Sequence, residues 1–419
     1  MGAAGVNDQT VEGGLRRALP AARAQGSARD DVWAAAGVGL LSFGLYLAAA
    51  WHLAPYLGVL DHRSFGGDTA TSARAMLHPA FEWKHPLFSP VTWPLVALLE
   101  GLLGLSPDAA VRVVLALLAA ANVVLMYALL RRFVASRLLA SWFSVLYALL
   151  AVNLLIFAIP ETYSTSNLAI LAYLLAFAEV RDRSTARDAT TLGALAGVAS
   201  LCNPPLLSLL GIHTLYAAHR RGPRAAVASG LRALLVALAV FAAANVLTHA
   251  VASGDPLWFL ERSTGYAERY ASWSHFAHLG TVATVCGVFL LSSVIAPMST
   301  FLQRPSGHEM AAYLGAPGAA AFVLVYAGWG LYVAARCVGG RDVLGTCLVA
   351  WIAGMLLFYV YWNPPTATRF SPQILAPLTL VLTLPFARRT PGHPAVYATL
   401  GAASGFLAFH NLVAVFGMG

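Results

Sequence analysis

The chain has 419 residues, of which 59% are hydrophobic and 11% charged, and a formal net charge of +8. A soluble domain has too little interior to hide that much apolar surface, so the composition excludes a soluble protein and predicts an all-α, polytopic transmembrane bundle. The positive charge does not point to nucleic acid: the arginines fall in short clusters between apolar runs, and no basic, aromatic-interleaved soluble segment remains.

Residues 1–31 are small, polar and arginine-bearing, and read as a disordered cytoplasmic tail. The run Val32 to Trp51 carries no charge and is long enough to span the hydrocarbon core. It starts too late and runs too long for a signal peptide, despite Ala48-Ala49-Ala50, and reads as a retained anchor. The loop 52–108 is then extracytoplasmic, with the apolar but Pro94- and Glu100-containing stretch 91–104 interfacial or re-entrant. Further spans are expected at 111–130, at 138–159 with a stop at Pro160, and from there to near Glu179. Two short ones follow at 189–202 and 205–219, hinged at Asn203-Pro204-Pro205, and then one at 233–252. A second large outer region covers 253–310. Residues 281–301 are apolar enough to cross, but a crossing would put Arg336 and Arg341 outside. They are expected instead to dip or lie against the bundle with both ends outside. Spans at 311–335, 343–361, 372–387 and 394–417 complete a single transmembrane domain, 32–419, of about eleven crossings (roughly ten to twelve) in a cell membrane, with the N-terminus cytoplasmic. The four cysteines have no paired or metal-site spacing and read as small core residues.

The proposed span interiors hold no Asp, Glu, Lys or Arg, which weighs against an ion-coupled transporter. Acidic and basic groups that are not cytoplasmic anchors gather in the outer loops, among them Asp61, Asp68, Glu82, Lys84, Glu161, Glu261, Arg262, Arg269 and Arg369. The densest stretch is 61–90. There Asp68 follows Gly66-Gly67, and Ala70, Ala73, Met76 and Leu77 mark one face of a short helix suited to the membrane surface. Lys84 is the only lysine in a chain that otherwise uses arginine, and lysine meets phosphate as a compact point charge. A polar outer face on an inert apolar bundle suggests a site acting on something lipid-borne.

The first loop resembles that of the GT-C glycosyltransferases, in the branch of the protein O-mannosyltransferases and the lipid A aminoarabinose transferase. The likeness rests on Asp68, on Ser72-Ala73-Arg74-Ala75-Met76-Leu77 and on Lys84-His85-Pro86-Leu87. It continues in Leu105 to Arg112, similar to the family's entry to span two, in Trp258 to Arg262, and in Arg369-Phe370-Ser371-Pro372. The chain departs from the pattern where Thr69 stands for a second carboxylate, His85 for a proline and Phe370 for a tyrosine. The resemblance implies transfer of a sugar from a polyprenyl-phosphate donor to an envelope lipid, glycan or protein acceptor, with inversion at the anomeric carbon. It makes Asp68 the base and puts Lys84, Arg262 and Arg369 on the donor phosphate, with Glu82, His85 and Glu161 as accessory residues. No cofactor is assigned from it, and a divalent cation is kept open.

Each assignment has a plainer rival. Asp68 is equally a helix N-cap, Lys84 a snorkelling interfacial residue, Glu161 the start of a span, and Arg369 a topology anchor. His275 and His278 have i, i+3 spacing, but lone surface histidines are commoner and no metal ligand is assigned. The functional alternative is a lipid or polysaccharide translocase without transfer chemistry, which would need a polar path through the bundle.

Overall fold

The computed structural model of the protein describes residues 28–53, 68–80, 84–183, 185–255, 258–295, 317–337, 339, 342–362, 364, 370–387 and 394–416. The tail to residue 27, Glu82, Arg369 and residues 296–316 lie outside the described residues, as does the side chain of Asp68.

Among the described residues the chain is helical and contains no strand. Six helices are long and apolar enough to cross a membrane: α1 (Ala28–His52), α4 (Pro107–Leu130), α7 (Tyr163–Val180), α10 (Pro223–Ser253), α14 (Val343–Trp362) and α16 (Pro394–Phe416). Between them lie α2 (Asp68–Leu77), α3 (Phe88–Leu103), α5 (Arg137–Ala148), α6 (Ala151–Ile156), α8 (Ala186–Cys202), α9 (Leu210–Arg221), α11 (Trp258–Tyr270), α12 (Leu279–Gly287), α13 (Pro317–Arg336) and α15 (Pro372–Ala387). Large apolar side chains such as Leu40 and Leu41 of α1 and Leu235 and Leu247 of α10 face outward. Such an outer surface is stable only in lipid, so this is a membrane-embedded helical bundle.

Local chemistry sets the helix ends. Ser106 caps α4 through the Ala109 N–H, with Pro107 in the first turn, where a missing N–H costs nothing. Thr185 and Asp188 close a reciprocal capping box on α8. The charged helix ends then collect at one end of the bundle. Asp30 and Asp31 at the start of α1 meet Arg137 and Arg131, Arg132 pairs with Glu179, and the Arg181 guanidinium lies over the Phe133 ring. Small residues set the closest approach: a Cβ on Gly193 would collide with the Ala233 carbonyl, and one on Gly197 with Ala237 and Val240, so α8 and α10 touch backbone to backbone.

The expected third span, 138–159, is not one helix. It breaks at Leu149–Leu150, between α5 and α6, with neither Pro nor Gly at the break. In a continuous helix the N–H groups of Ala151 and Val152 would serve the carbonyls of Tyr147 and Ala148. Here they donate to the Val294 and Ser293 carbonyls, at 3.2 and 3.1 Å. The released carbonyls are taken by side chains: Tyr147 by Asn153 Nδ2 (2.8 Å), Ala148 by the Tyr46 hydroxyl (2.9 Å) and Leu149 by Asn411 Nδ2 (2.8 Å). Asn411 Nδ2 also donates to Val294 at 2.8 Å. With no water to turn to in an apolar bundle, a broken helix persists only when its freed groups are met in this way.

Val294 lies within the segment 281–301 expected to dip, which is described as far as Ile295. α12 passes into a π turn at Val288–Ser292. His275, before α12, bonds the carbonyls of Val360 and Tyr361, while Phe289, after it, stacks on Tyr359 at 5.2 Å. Both contacts fall at the Trp362 end of α14, so residues 275–289 leave and regain one end of the bundle without running the length of α14.

Candidate functional site

Polar residues gather at the end opposite the arginine clusters. α2 forms where the sequence predicts it, with Ala70, Ala73 and Met76 inward. Its apolar face is covered by protein, however, rather than by a lipid surface: Ala75 and Met76 pack with Phe88 and Val96 of α3 and Val111, Val114 and Leu115 of α4. A helix of ten residues buries its apolar face most fully against a preformed groove, and α3 and α4 supply one.

That docking sets the start of α2, where Asp68 is the first residue. Thr69, the next residue, donates its hydroxyl to Glu161 Oε1 at 2.9 Å. Thr69 is 5% exposed and Glu161 only 2%, so the carboxylate is nearly out of solvent. Glu161 sits in the tight turn between α6 and α7, its N–H bonded to the Ile159 carbonyl at 2.8 Å. The start of α2 and the Pro160-Glu161 turn, 92 residues apart, are therefore in direct contact.

The Lys84-His85-Pro86-Leu87 element docks on the end of α8, and the Asn-Pro-Pro motif explains why. Pro205 has no N–H to offer the Leu201 carbonyl, and the Leu206 N–H bonds Asn203 instead of Cys202. Leu87 N–H takes the Leu201 carbonyl at 3.4 Å, and His85 Nδ1 the Cys202 carbonyl at 2.6 Å. A carbonyl only accepts, so Nδ1 carries the proton and Nε2 is the basic nitrogen of His85. The Ser166 hydroxyl of α7 reaches the same Cys202 carbonyl at 3.3 Å and the Thr162 carbonyl at 3.1 Å. One carbonyl thus ties His85 to the residue next to Glu161.

Lys84 leans the other way, its ammonium 4.5 Å from the centre of the Tyr266 ring on α11. Tyr266 packs on Tyr270 and on Trp362 at the end of α14. Arg262 is one turn from Tyr266 on the same helix, exposed, with its guanidinium 5.3 Å from the Trp258 ring. Lys84 and the helix that carries Arg262 are thereby brought together, while the Arg262 head itself rests on its own helix.

The far wall is aromatic. Phe370 stacks on Tyr359 at 4.5 Å and meets Tyr163, two residues after Glu161, edge-on at 5.9 Å. The Tyr359 hydroxyl donates to Gln373 Oε1 at 2.5 Å, and Gln373 is fully buried. In the sequence, Thr69 stands out only as a departure from the family pattern, and Tyr163 and Gln373 carry no assigned role. The available signals were a hydroxyl directly after Asp68 and an amide opening an apolar span behind Pro372.

Two other motifs have structural explanations. Arg112 forks onto Asp108 at 2.7 and 2.9 Å and donates to the Ala50 carbonyl near the end of α1, which ties the start of α4 to that end. His275 spends Nδ1 on the α14 carbonyls. Among the described residues no group of three or more His, Cys, Asp or Glu is arranged to hold a metal. No family model matches the chain, and no curated protein matches it.

Proposed function

We propose that the protein is a GT-C-type glycosyltransferase of about eleven crossings, transferring a sugar from a polyprenyl-phosphate donor to an envelope lipid, glycan or protein acceptor at the outer face of the membrane. The observation that carries the reading is the Thr69–Glu161 contact. It draws the start of α2, and with it Asp68, to a buried carboxylate. The sole lysine stands on an adjoining element tied to the same turn through Cys202.

The chemistry asks for three things. Asp68 accepts the proton of the acceptor hydroxyl as its oxygen attacks the anomeric carbon. The bond from that carbon to the phosphate oxygen breaks, its electron pair leaves with the polyprenyl phosphate, and the anomeric centre inverts. Lys84, Arg262 and Arg369 offset the charge that builds on the departing phosphate. Glu161 holds the Thr69 hydroxyl, and so the first turn of α2, in place behind the base. His85 anchors the lysine-bearing element to α8.

The test is mass spectrometry of membrane lipids and envelope glycans from cells producing the wild-type chain or Asp68→Asn. A sugar-bearing product that disappears with the variant supports transfer. Identical lipid and glycan profiles, with both proteins present in the membrane, overturn it.

A further inference from the structure

The end of the bundle opposite the candidate site carries arginines in two corners of different balance. Where α1, α4 and α5 meet, Arg131, Arg132 and Arg137 are each matched by a carboxylate, from Asp31, Glu179 and Asp30. In the corner of α8, α9 and α10, residues 181–232 hold seven arginines and only two acidic residues, Asp182 and Asp188. Asp182 lies 3.7 Å from Arg181, and Asp188 turns Oδ2 to the N–H and hydroxyl of Thr185. Arg183, Arg187 and Arg224 are exposed and, among the described residues, form no ion pair.

The two turns that carry these arginines touch. Arg221 Nη2 donates to the Arg181 carbonyl at 3.4 Å, the Tyr216 hydroxyl lies 3.5 Å from Asp182, and the Arg220 guanidinium rests 5.7 Å from the Tyr216 ring. A Cβ on Gly230 would collide with the Thr214 side chain, so α9 and α10 pack closely beneath the turns. Beside that contact Leu215, Val227 and Leu231 are exposed, an apolar surface that faces lipid. Arg232 is exposed as well, two turns inward from Arg224 and among the exposed Leu231, Leu234 and Leu235. A guanidinium at that depth is stable when its stem lies along the leucines and its head reaches back to the headgroups.

We propose that this corner is a docking surface for anionic phospholipid, whose headgroup phosphates meet Arg183, Arg187, Arg224 and Arg232 while the acyl chains lie along Val227 and Leu231. Guanidinium matches phosphate in both charge and geometry, and basic surfaces between membrane helices suit anionic headgroups. Topology alone asks for arginine at this end of the bundle. It asks neither for an excess in one corner nor for an arginine facing lipid two turns in. The matched corner shows that the chain supplies carboxylates where it closes its own charges. A soluble anion would have no use for the apolar surface directly beneath the arginines, whereas a phospholipid covers both. The surface lies away from the proposed transfer site, and the proposal stands or falls separately from the glycosyltransferase reading.

The experiment follows thermal unfolding of the purified full-length protein in detergent with added phosphatidylglycerol, phosphatidylcholine of the same acyl chains, or glycerol 3-phosphate. A bound anionic lipid predicts a Tm that rises with the logarithm of phosphatidylglycerol concentration and responds little to the other two. The triple variant Arg183→Gln, Arg187→Gln, Arg224→Gln changes only exposed side chains, so it should unfold like the wild type in phosphatidylcholine. It should need roughly ten-fold more phosphatidylglycerol, or greater, for half the shift. Arg232→Leu, which places an apolar residue among lipid-facing leucines, should keep the fold and need roughly two- to five-fold more. Equal shifts from the two lipids would overturn the proposal, as would an undiminished phosphatidylglycerol response in the triple variant. An equal shift from glycerol 3-phosphate would overturn it in favour of a soluble anion. Should the triple variant fail to fold, Arg232→Leu decides, and a response equal to that of the wild type overturns the proposal.

Discussion

The chain breaks its helices in two ways, and the contrast separates what a sequence announces from what only a fold can hold. At Asn203 the break is written locally: Pro204 and Pro205 remove donors, α8 stops, and the freed carbonyls become docking points for Leu87 and His85. At Leu149 nothing local forces a break. Tyr46 from α1, Asn411 from α16 and the carbonyls of Ser293 and Val294 each satisfy a group that the interruption releases. A proline break stands without tertiary support, whereas the break at Leu149 depends on partners more than 100 residues away.

If that contrast is right, removing a partner should hurt far more at Leu149 than at Asn203. The largest effect is expected for Asn411→Leu, which takes its donor from the part-buried Leu149 carbonyl and one of two donors from the buried Val294 carbonyl. It should cost about 2–4 kcal/mol of stability, read as a lowered unfolding midpoint, with faster hydrogen exchange at Ala151 and Val152. A cost near zero would mean that the break does not need its staple.

At the proline break, His85→Ala should cost less, about 1–2 kcal/mol, because Ser166 still reaches the Cys202 carbonyl. His85→Asn, which can also donate, should recover part of that loss. Equal destabilisation by both variants would show that the imidazole matters for its volume and not for its N–H. Smaller again is Asp188→Ala, which opens the capping box of α8 and should cost about 1 kcal/mol by thermal unfolding; a loss several times larger would give Asp188 a role beyond the cap. The smallest effect is expected for Pro205→Ala. It returns an N–H that competes with Leu87 for the Leu201 carbonyl, so stability should change by under about 1 kcal/mol. Cysteine labelling at position 84, introduced as Lys84→Cys, should nevertheless quicken as the element loosens. Unchanged labelling would detach the element from the Asn-Pro-Pro motif.

The same contrast marks how much could be read in advance. Apolar runs gave the long helices, and the arginine clusters gave helix ends that do meet, through Arg131, Arg132, Arg137 and Arg181; the second span, expected from 111, in fact opens at Pro107 behind the Ser106 cap. Such signals act within a few residues. The α5–α6 break was not legible, because Leu149 and Leu150 look like any apolar pair until Asn411 and Val294 stand beside them. The face of α2 was legible as amphipathic, but its period cannot say whether lipid or α3 and α4 will cover it. At the site, Asp68, Lys84 and Glu161 stood out by charge in an apolar chain. Thr69, which joins two of those regions, is an ordinary hydroxyl residue whose meaning comes only from Glu161 across 92 residues.

The central claim concerns Asp68, and its two readings diverge under one substitution. Asparagine caps a helix about as well as aspartate, so a purely structural role predicts that Asp68→Asn keeps both fold and activity. A carboxamide cannot take the acceptor's proton, so a catalytic role predicts normal folding with transfer reduced roughly 100-fold or more. The decisive measurement is sugar transfer from a polyprenyl-phosphate donor by purified Asp68→Asn protein, with thermal unfolding recorded on the same preparation. The account predicts an unfolding midpoint like that of the wild type and a collapse of transfer. Transfer within a few-fold of wild type would contradict it and move the search for the base to Glu161 and Glu82.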